Sequence, residues 1–426
     1  MSKLRSNIEI LDASDLNVRR KNSYHLERLD EAYIKYNKNK NNNKKRFLKK
    51  RLKSILKIFP EKKESELKKE RVKSILLIKF GHLGDKLLFE PVPRALRKKF
   101  PNAKISLLTN NHSLEQLKRS NLIDNFYLFN HQKCVKQREN KDGFFKLIKL
   151  ILAIRKNRYS IVMEFKGQLF ISLLAIMCGA EYKIGYANYL TNIFYDKNIT
   201  ERYNKHEILR NIKILEGIGI SVKDTSPKFI FQKKDNFLAK FIKKNGINIE
   251  KKLIGMHIGS GWSPRTYPSK NFASLIDLFD KTYQVILFCG KEEIAVLRDI
   301  NKKTKRNIIF PGELPLNDFA EVLKLCDVFI ASDSGPVHLA QMLNVPTVAL
   351  FSSGDYIRWG TYKKNSITIR ANLACSPCGI EGVSLPPINE HKCMRGYGVC
   401  LAFKYMEPRM IYAITKDIIL ENENNT

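Results

Sequence analysis

Two doubly wound α/β units in one chain are what this sequence predicts, and three observations predict them. Short apolar runs alternate with stretches of helical periodicity from about residue 71. The alternation restarts at about residue 236. Glycine turns recur just after apolar runs, at Gly81-His82-Leu83-Gly84-Asp85 and at Gly259-Ser260-Gly261, the positions at which open α/β sheets bind ligands.

The runs 75–78, 105–108, 126–129 and 161–165 are the strands expected of a first unit at 71–235. A second unit at 236–405 offers 253–257, 284–289, 328–331 and 345–351. Glycine, proline or polar clusters bound these runs and helical patterns follow them. After 73–79, for example, Leu87, Leu88, Val92, Leu96 and Phe100 fall at helical spacing. A helix is read over 271–279, a buried one over 169–180, and a last one over about 407–420 within the terminal segment 406–426.

The most informative short segment is Asp333-Ser334-Gly335-Pro336-Val337-His338, which follows apolar Val328, Phe329, Ile330 and Ala331. Asp333 or Ser334 can cap a helix there, and proline suits the first helical turn, where its missing N–H costs nothing. The N–H groups of such a turn favour a phosphate. An ordinary capped helix reads the same way from these residues alone. The turn at 81–85 lacks the full G-x-G-x-x-G, so a dinucleotide fingerprint is not supported.

With 76 Lys+Arg against 42 Asp+Glu, the 426 residues carry a formal net charge of +34, so a polyanionic partner is expected. Nucleic acid, an anionic membrane and lipopolysaccharide all qualify. Residues 1–74 hold only 23 of the basic and 10 of the acidic residues, so the excess is not confined to a tail. No RRM-like aromatic signature, zinc-finger helix or recognition helix accompanies the basic residues. Nucleic acid is therefore not the expected partner, and a nucleic-acid-binding scaffold is kept as the alternative of another class.

Residues 1–70 read as a basic, partly helical extension, with a short helix over 16–36, a Lys/Asn-rich run at 37–45 and a basic helix over 44–59. In that helix Leu48, Leu52, Ile55, Leu56 and Phe59 share one face, which either lies on an anionic membrane or packs on the first unit. No run reaches the roughly 18 apolar residues of a membrane span. Glu9, Asp12 and Asp15 sit where a secretory signal would be apolar. A cytoplasmic protein, peripheral at the inner membrane, is the expectation.

Taken together, the turn at 81–85 with Pro91, Arg94, Ala95, Leu96 and Pro101 after it, the loop 259–268, and the segment 333–340 leading to Pro346 and Phe351 resemble glycosyltransferase family 9, the ADP-heptose:lipopolysaccharide heptosyltransferases. The elements occur in family order over 72–415. The resemblance implies a GT-B fold: two Rossmann-like domains facing across a cleft, 71–235 binding the acceptor and 236–405 the nucleotide sugar, with the last helix crossing back to the first domain. It implies an inverting, metal-independent transfer of heptose from ADP-heptose to a lipopolysaccharide core acceptor. A GT-B epimerase, or a transferase using another nucleotide sugar, is the alternative.

Glycosyl transfer needs a base for the acceptor hydroxyl, positive charge or N–H groups on the leaving diphosphate, and a nucleotide pocket. Asp85 matches the family's catalytic aspartate; its other role is a first-turn acid on the helix dipole. Arg265 stands where the family usually has a lysine on the diphosphate, and a guanidinium grips phosphate oxygens in a bidentate manner. Ser334 and Gly335 would hold phosphates, Asp333 would face the donor sugar, and His338 would face the diphosphate or serve packing. Glu292 or Glu293 would take the ribose hydroxyls. Trp262 and Tyr267 either line the pocket or pack.

No D-x-D triplet occurs, so no cofactor is expected for catalysis. Cys375, Cys378, Cys393 and Cys400 give C-x2-C-x14-C-x6-C, whose last spacing is too long for a standard zinc ribbon. Structural zinc, other structural thiols and an exposed redox role stay open for them. Cys134, Cys178, Cys289 and Cys326 are expected in cores.

Overall fold

The computed structural model describes residues 8–12, 67, 69–111, 113–130, 141–188, 190–200, 205–232, 234–373, 376–377 and 400–424. The helices expected at 16–36 and 44–59 lie outside them, as do Cys134, Cys375, Cys378 and Cys393. The chain divides into a first unit, 37–230, and a second, 231–426, which also takes residues 1–36. The division thus falls at 230/231, where the sequence placed it at 235/236.

Strand β1 (Ile8–Leu11) belongs to the second unit. The first unit is built on β2 (Ser74–Ile78), β3 (Lys104–Thr109), β4 (Asn125–Leu128), β5 (Ile161–Glu164), β6 (Tyr182–Ala187) and β7 (Lys197–Thr200). Their order is β4-β3-β2-β5-β6-β7 and every pairing is parallel. Because β2 is buried on both faces, its near-continuous apolar run splits by alternation: Ile75 and Leu77 enter one core, Leu76 and Ile78 the other. The chain order turns around between β2 and β5, so the loops after those two strands form the switch point of this sheet.

The second unit holds β8 (Lys252–His257), β9 (Tyr283–Phe288), β10 (Val328–Ser332), β11 (Thr347–Phe351) and β12 (Ser366–Ala371), in the order β1-β12-β11-β10-β8-β9. All pairings are parallel except β1 on β12. Here the switch lies between β10 and β8, and the loops carrying Asp333 and Arg265 leave those neighbouring strands.

The described part of the N-terminal extension is the strand Ile8–Leu11, ahead of the helices expected there. It covers the edge of β12, where Glu9 sits opposite Arg370 with its carboxylate 3.4 Å from the guanidinium, and where Leu11 is fully buried. The last helix is Pro408–Glu423. Ile411, Ile414, Ile418 and Ile419 join the second unit's core, against the helix Ser269–Leu278. Their i, i+3, i+7, i+8 spacing gives that helix one stripe, and the stripe is used there.

Candidate functional site

In the first unit the site is the turn that leaves β2. Asp85 lies in the first turn of the short helix Leu83–Leu87, and its Oδ2 accepts the His82 backbone N–H at 3.1 Å. Gly81 makes room for that carboxylate: a Cβ there would stand 2.2 Å from Asp85 Cγ. Asn110, just past β3, accepts the Gly81 N–H at 3.2 Å through its side chain and Lys86 Nζ at 3.0 Å through its carbonyl, which ties the turn to the neighbouring strand. Burial pushes Lys86 down to about 8, with the Asp85 charge opposing.

Lys166 faces the same carboxylate. It sits just past β5, across the switch point, and its Nζ is 2.8 Å from Asp85 Oδ1, both side chains being about one-eighth exposed (12 and 13 %). The loop that presents it is folded over Glu164, a fully buried carboxylate that accepts the Lys166 and Gly167 N–H groups and the Tyr195 hydroxyl. Burial raises Glu164 to about 7, with those hydrogen bonds opposing. Behind β2, buried Lys79 donates to Glu207 at 2.6 Å and to Asn211 at 2.9 Å. Burial drives Lys79 below the usual lysine range, chiefly against the pull of Glu207. Sequence reading missed Lys166, Lys79 and Glu207. Nothing in one sequence links residues 81 or 128 positions apart.

In the second unit the loops after β8 and β10 bring Arg265 and Asp333 together, with the guanidinium 3.1 Å from Asp333 Oδ2. The distance is that of an ion pair, though the approach lacks hydrogen-bond alignment. Asp333 is 5 % exposed and packs over Gly354, where a Cβ would meet its Oδ2 at 1.9 Å. Burial raises Asp333 to about 6, Arg265 opposes this, and Asp355 adds to it. Trp262, exposed, lies 5.5 Å from the Arg265 guanidinium in a cation–π contact.

Ser334 takes the N-cap position of the helix Gly335–Met342, but its hydroxyl donates to the Ser332 carbonyl at 2.9 Å and caps nothing. Neither side chain expected to cap does so, and the half-buried first turn, with Pro336 in it, keeps the anion-receptive character of a helix start. His338 is buried against Trp359, ring centroids 5.8 Å apart. Tyr267 also belongs to the core: it is fully buried between Phe272 and Phe403 and donates to the Met406 carbonyl at 2.7 Å. Of the two adjacent glutamates, Glu292 is exposed, whereas Glu293 accepts the Gly290 N–H at 2.8 Å and packs on Gly259, joining the loops after β9 and β8. Beside them His257 holds the Gly259 carbonyl at 3.0 Å, and burial pushes its imidazole down to about 4.

The raised Asp333 has a stability consequence. Between its ordinary value of 3.8 and about 6 the native state binds more protons than the unfolded state, so stability falls as pH rises through that window. Asp333→Asn should remove up to about 2–3 kcal/mol of this slope. Thermal melts from pH 4 to 7 measure it, and an unchanged slope would show that Asp333 titrates normally.

Among the described residues no group of three or more His, Cys, Asp or Glu is placed to hold a metal ion, and no helix is long and apolar enough to cross a membrane. Cys400, the one described member of the C-terminal cluster, is buried in the second unit's core.

Known proteins resemble this chain in sequence and in fold. Lipooligosaccharide heptosyltransferase 2 of Campylobacter jejuni is 25% identical over 322 residues, 74% of this chain and 92% of that protein. The crystal structure of a family 9 glycosyltransferase from Veillonella parvula superposes with a TM-score of 0.68 at 21% identity, over 84% of this chain and 99% of that one. The Escherichia coli ADP-heptose lipopolysaccharide heptosyltransferase II gives a TM-score of 0.62 at 18% identity, over 82% and 99%. These likenesses show the GT-B fold. The family model for glycosyltransferase family 9 (heptosyltransferase) matches residues 147–388, more than half of the sequence, and the chain belongs to that family of glycosyltransferases.

Proposed function

We propose that this enzyme transfers heptose from ADP-heptose to a lipopolysaccharide or lipooligosaccharide core acceptor, inverting the anomeric carbon and using no catalytic metal. The observation that carries the reading is the Arg265–Asp333 pair at the start of a helix whose N-cap side chain does not cap. A leaving diphosphate needs fixed positive charge, and Arg265 with the N–H groups of that helix start supplies it where a metal otherwise would. The printed names of the relatives, an ADP-heptose enzyme and a lipooligosaccharide enzyme, support the donor and the acceptor class.

In this reading the acceptor oxygen attacks the anomeric carbon as the bond to the diphosphate breaks, and Asp85 takes the hydroxyl proton. Lys166 and the His82 N–H hold one carboxylate oxygen each, which fixes the base. Glu293, rather than exposed Glu292, would take the ribose hydroxyls. The net charge of +34 supports work at an anionic membrane surface.

Arg265→Ala should weaken ADP binding by about 1.5–3 kcal/mol, the range for hydrogen bonds to charged groups. Calorimetry on the folded variant decides it, and unchanged ADP affinity would place Arg265 outside the phosphate site. EDTA should leave transfer intact. Activity that vanished and returned only with magnesium or manganese would refute the metal-free mechanism, whereas a chelator-induced fall in melting temperature would assign a structural metal to Cys375, Cys378, Cys393 and Cys400.

A further inference from the structure

The helix Lys141–Arg155 lies on one face of the first unit's sheet, where Ile151 and Ile154 are buried in the core and Leu147 and Leu150 pack against it. Those four residues set its inner face. Phe145 and Leu152 belong to the opposite face: they are 66 and 55 % exposed, two helical turns apart, with partly buried Ile148 between them. A face turned only to water would be polar. The neighbouring helix Leu169–Met177 carries no charged residue, yet Phe170, Leu173 and Met177 are only partly buried. Arg155 donates to the Met177 carbonyl at 3.1 Å and so joins the ends of the two helices.

Lys146, Lys149 and Lys156 are exposed beside these apolar side chains. Among the described residues no carboxylate pairs with any of the three. From 143 to 180 the chain has six Lys or Arg and one acid, Glu164, which is fully buried. Residues 131–140, ahead of the helix and outside the described ones, hold three more basic residues and one acid. An apolar centre in such a basic field matches an anionic bilayer, where the apolar side chains enter the acyl boundary and the lysines meet the head groups. A second copy of this face would bring like charges together. Nucleic acid would answer the lysines but leave Phe145 and Leu152 in water.

The face also adjoins the catalytic turn. Leu169 comes three residues after Lys166, whose Nζ is 2.8 Å from Asp85, and Phe170 stacks on Phe129 at the end of β4. We propose that the outer face of the helix Lys141–Arg155, continued by that of Leu169–Met177, is the surface by which this enzyme docks on an anionic membrane. The proposal rests on the reading of a lipopolysaccharide-type acceptor for its purpose, since docking there would hold the Asp85 turn near a membrane-borne acceptor.

The test is photocrosslinking of the full chain on vesicles of equimolar phosphatidylglycerol and phosphatidylcholine, with p-benzoylphenylalanine replacing Leu152 or, as a control, Ile249, which is 76 % exposed in the second unit. A lipid adduct should form at position 152, at least about fivefold more than at 249, and fall away on phosphatidylcholine alone. In sedimentation with the same vesicles, Phe145→Ser with Leu152→Ser, and separately Lys149→Gln with Lys156→Gln, should each weaken partition about tenfold or more. Both pairs should keep the parent's melting temperature and its transfer to a soluble core oligosaccharide. Equal adducts at 152 and 249, a crosslink from 152 to residues 1–70 or to a second copy in place of lipid, or variants that partition as the parent does would overturn the docking face. The lipid readouts need no sugar transfer, so a parent that transfers no heptose would count against the acceptor reading alone.

Discussion

Asp85→Asn should lower turnover by about 100-fold or more while sparing the melting temperature and ADP binding, the signature of a lost general base. Asparagine keeps the size of the side chain, and its amide oxygen can still accept from the His82 N–H or Lys166, so the turn over Gly81 survives the change. What disappears is the ability to take a proton. Single-turnover rates with saturating donor separate the two, and turnover within about threefold of the parent would remove Asp85 from the role. Lys166→Met probes the same carboxylate from the other side. If Lys166 positions the base, turnover falls and the acid limb of the rate profile moves, and Lys166→Arg restores part of both.

Glu207→Ala should cost about 3–5 kcal/mol of stability, the range for breaking a buried ion pair by removing one partner. Lys79 and Arg210 both turn to this carboxylate, and Lys79 has no exposure through which water could replace it. Its remaining partner in that network, Asn211, offers one carbonyl oxygen at 2.9 Å. Chemical denaturation measures the loss, and a change under about 1 kcal/mol would show that Lys79 sheds its proton without penalty. Lys79→Met in the Glu207→Ala background should recover part of the stability, because an apolar side chain needs no counter-charge there.

Strands that are apolar throughout were legible, because a parallel strand buried on both faces writes its burial into four or five consecutive residues, as in β2 and β10. Strands β6, β7 and β12 were not. β6 carries Lys183 and Gly185, the latter because the Tyr195 ring occupies the space of a Cβ, which breaks the apolar run. β7 is an edge strand with one buried residue, Ile199. In β12 the buried Arg370 looks like a surface residue until β1 brings Glu9 opposite it and Tyr356 supplies a ring 4.2 Å from the guanidinium.

The same division runs through the site. Turn chemistry is local, so the glycine at Gly81, the acid at Asp85 and the helix start after Ser334 could be read directly. The partners that give those residues their electrostatics are distant in sequence: Lys166 to Asp85, Arg265 to Asp333, Glu207 to Lys79. The parallel order of the sheets gathers the loops after neighbouring strands and so brings Lys166 to Asp85 and Arg265 to Asp333, while Glu207 reaches Lys79 from the start of the helix Glu207–Glu216. Composition does not distinguish Glu292 from Glu293, whereas in the structure Glu292 is exposed and Glu293 packs on Gly259.

The central claim is that this chain moves a heptosyl group from ADP-heptose with inversion, through Asp85. It is tested most directly by following ADP-heptose, the purified full-length protein and a core-oligosaccharide acceptor by NMR in the presence of EDTA. The account predicts ADP release matched one for one by a new anomeric signal on the acceptor, of configuration opposite to the donor's, and no such signal with Asp85→Asn. Unchanged ADP-heptose, free heptose without a glycosylated acceptor, or a product that retains the donor's anomeric configuration would contradict it.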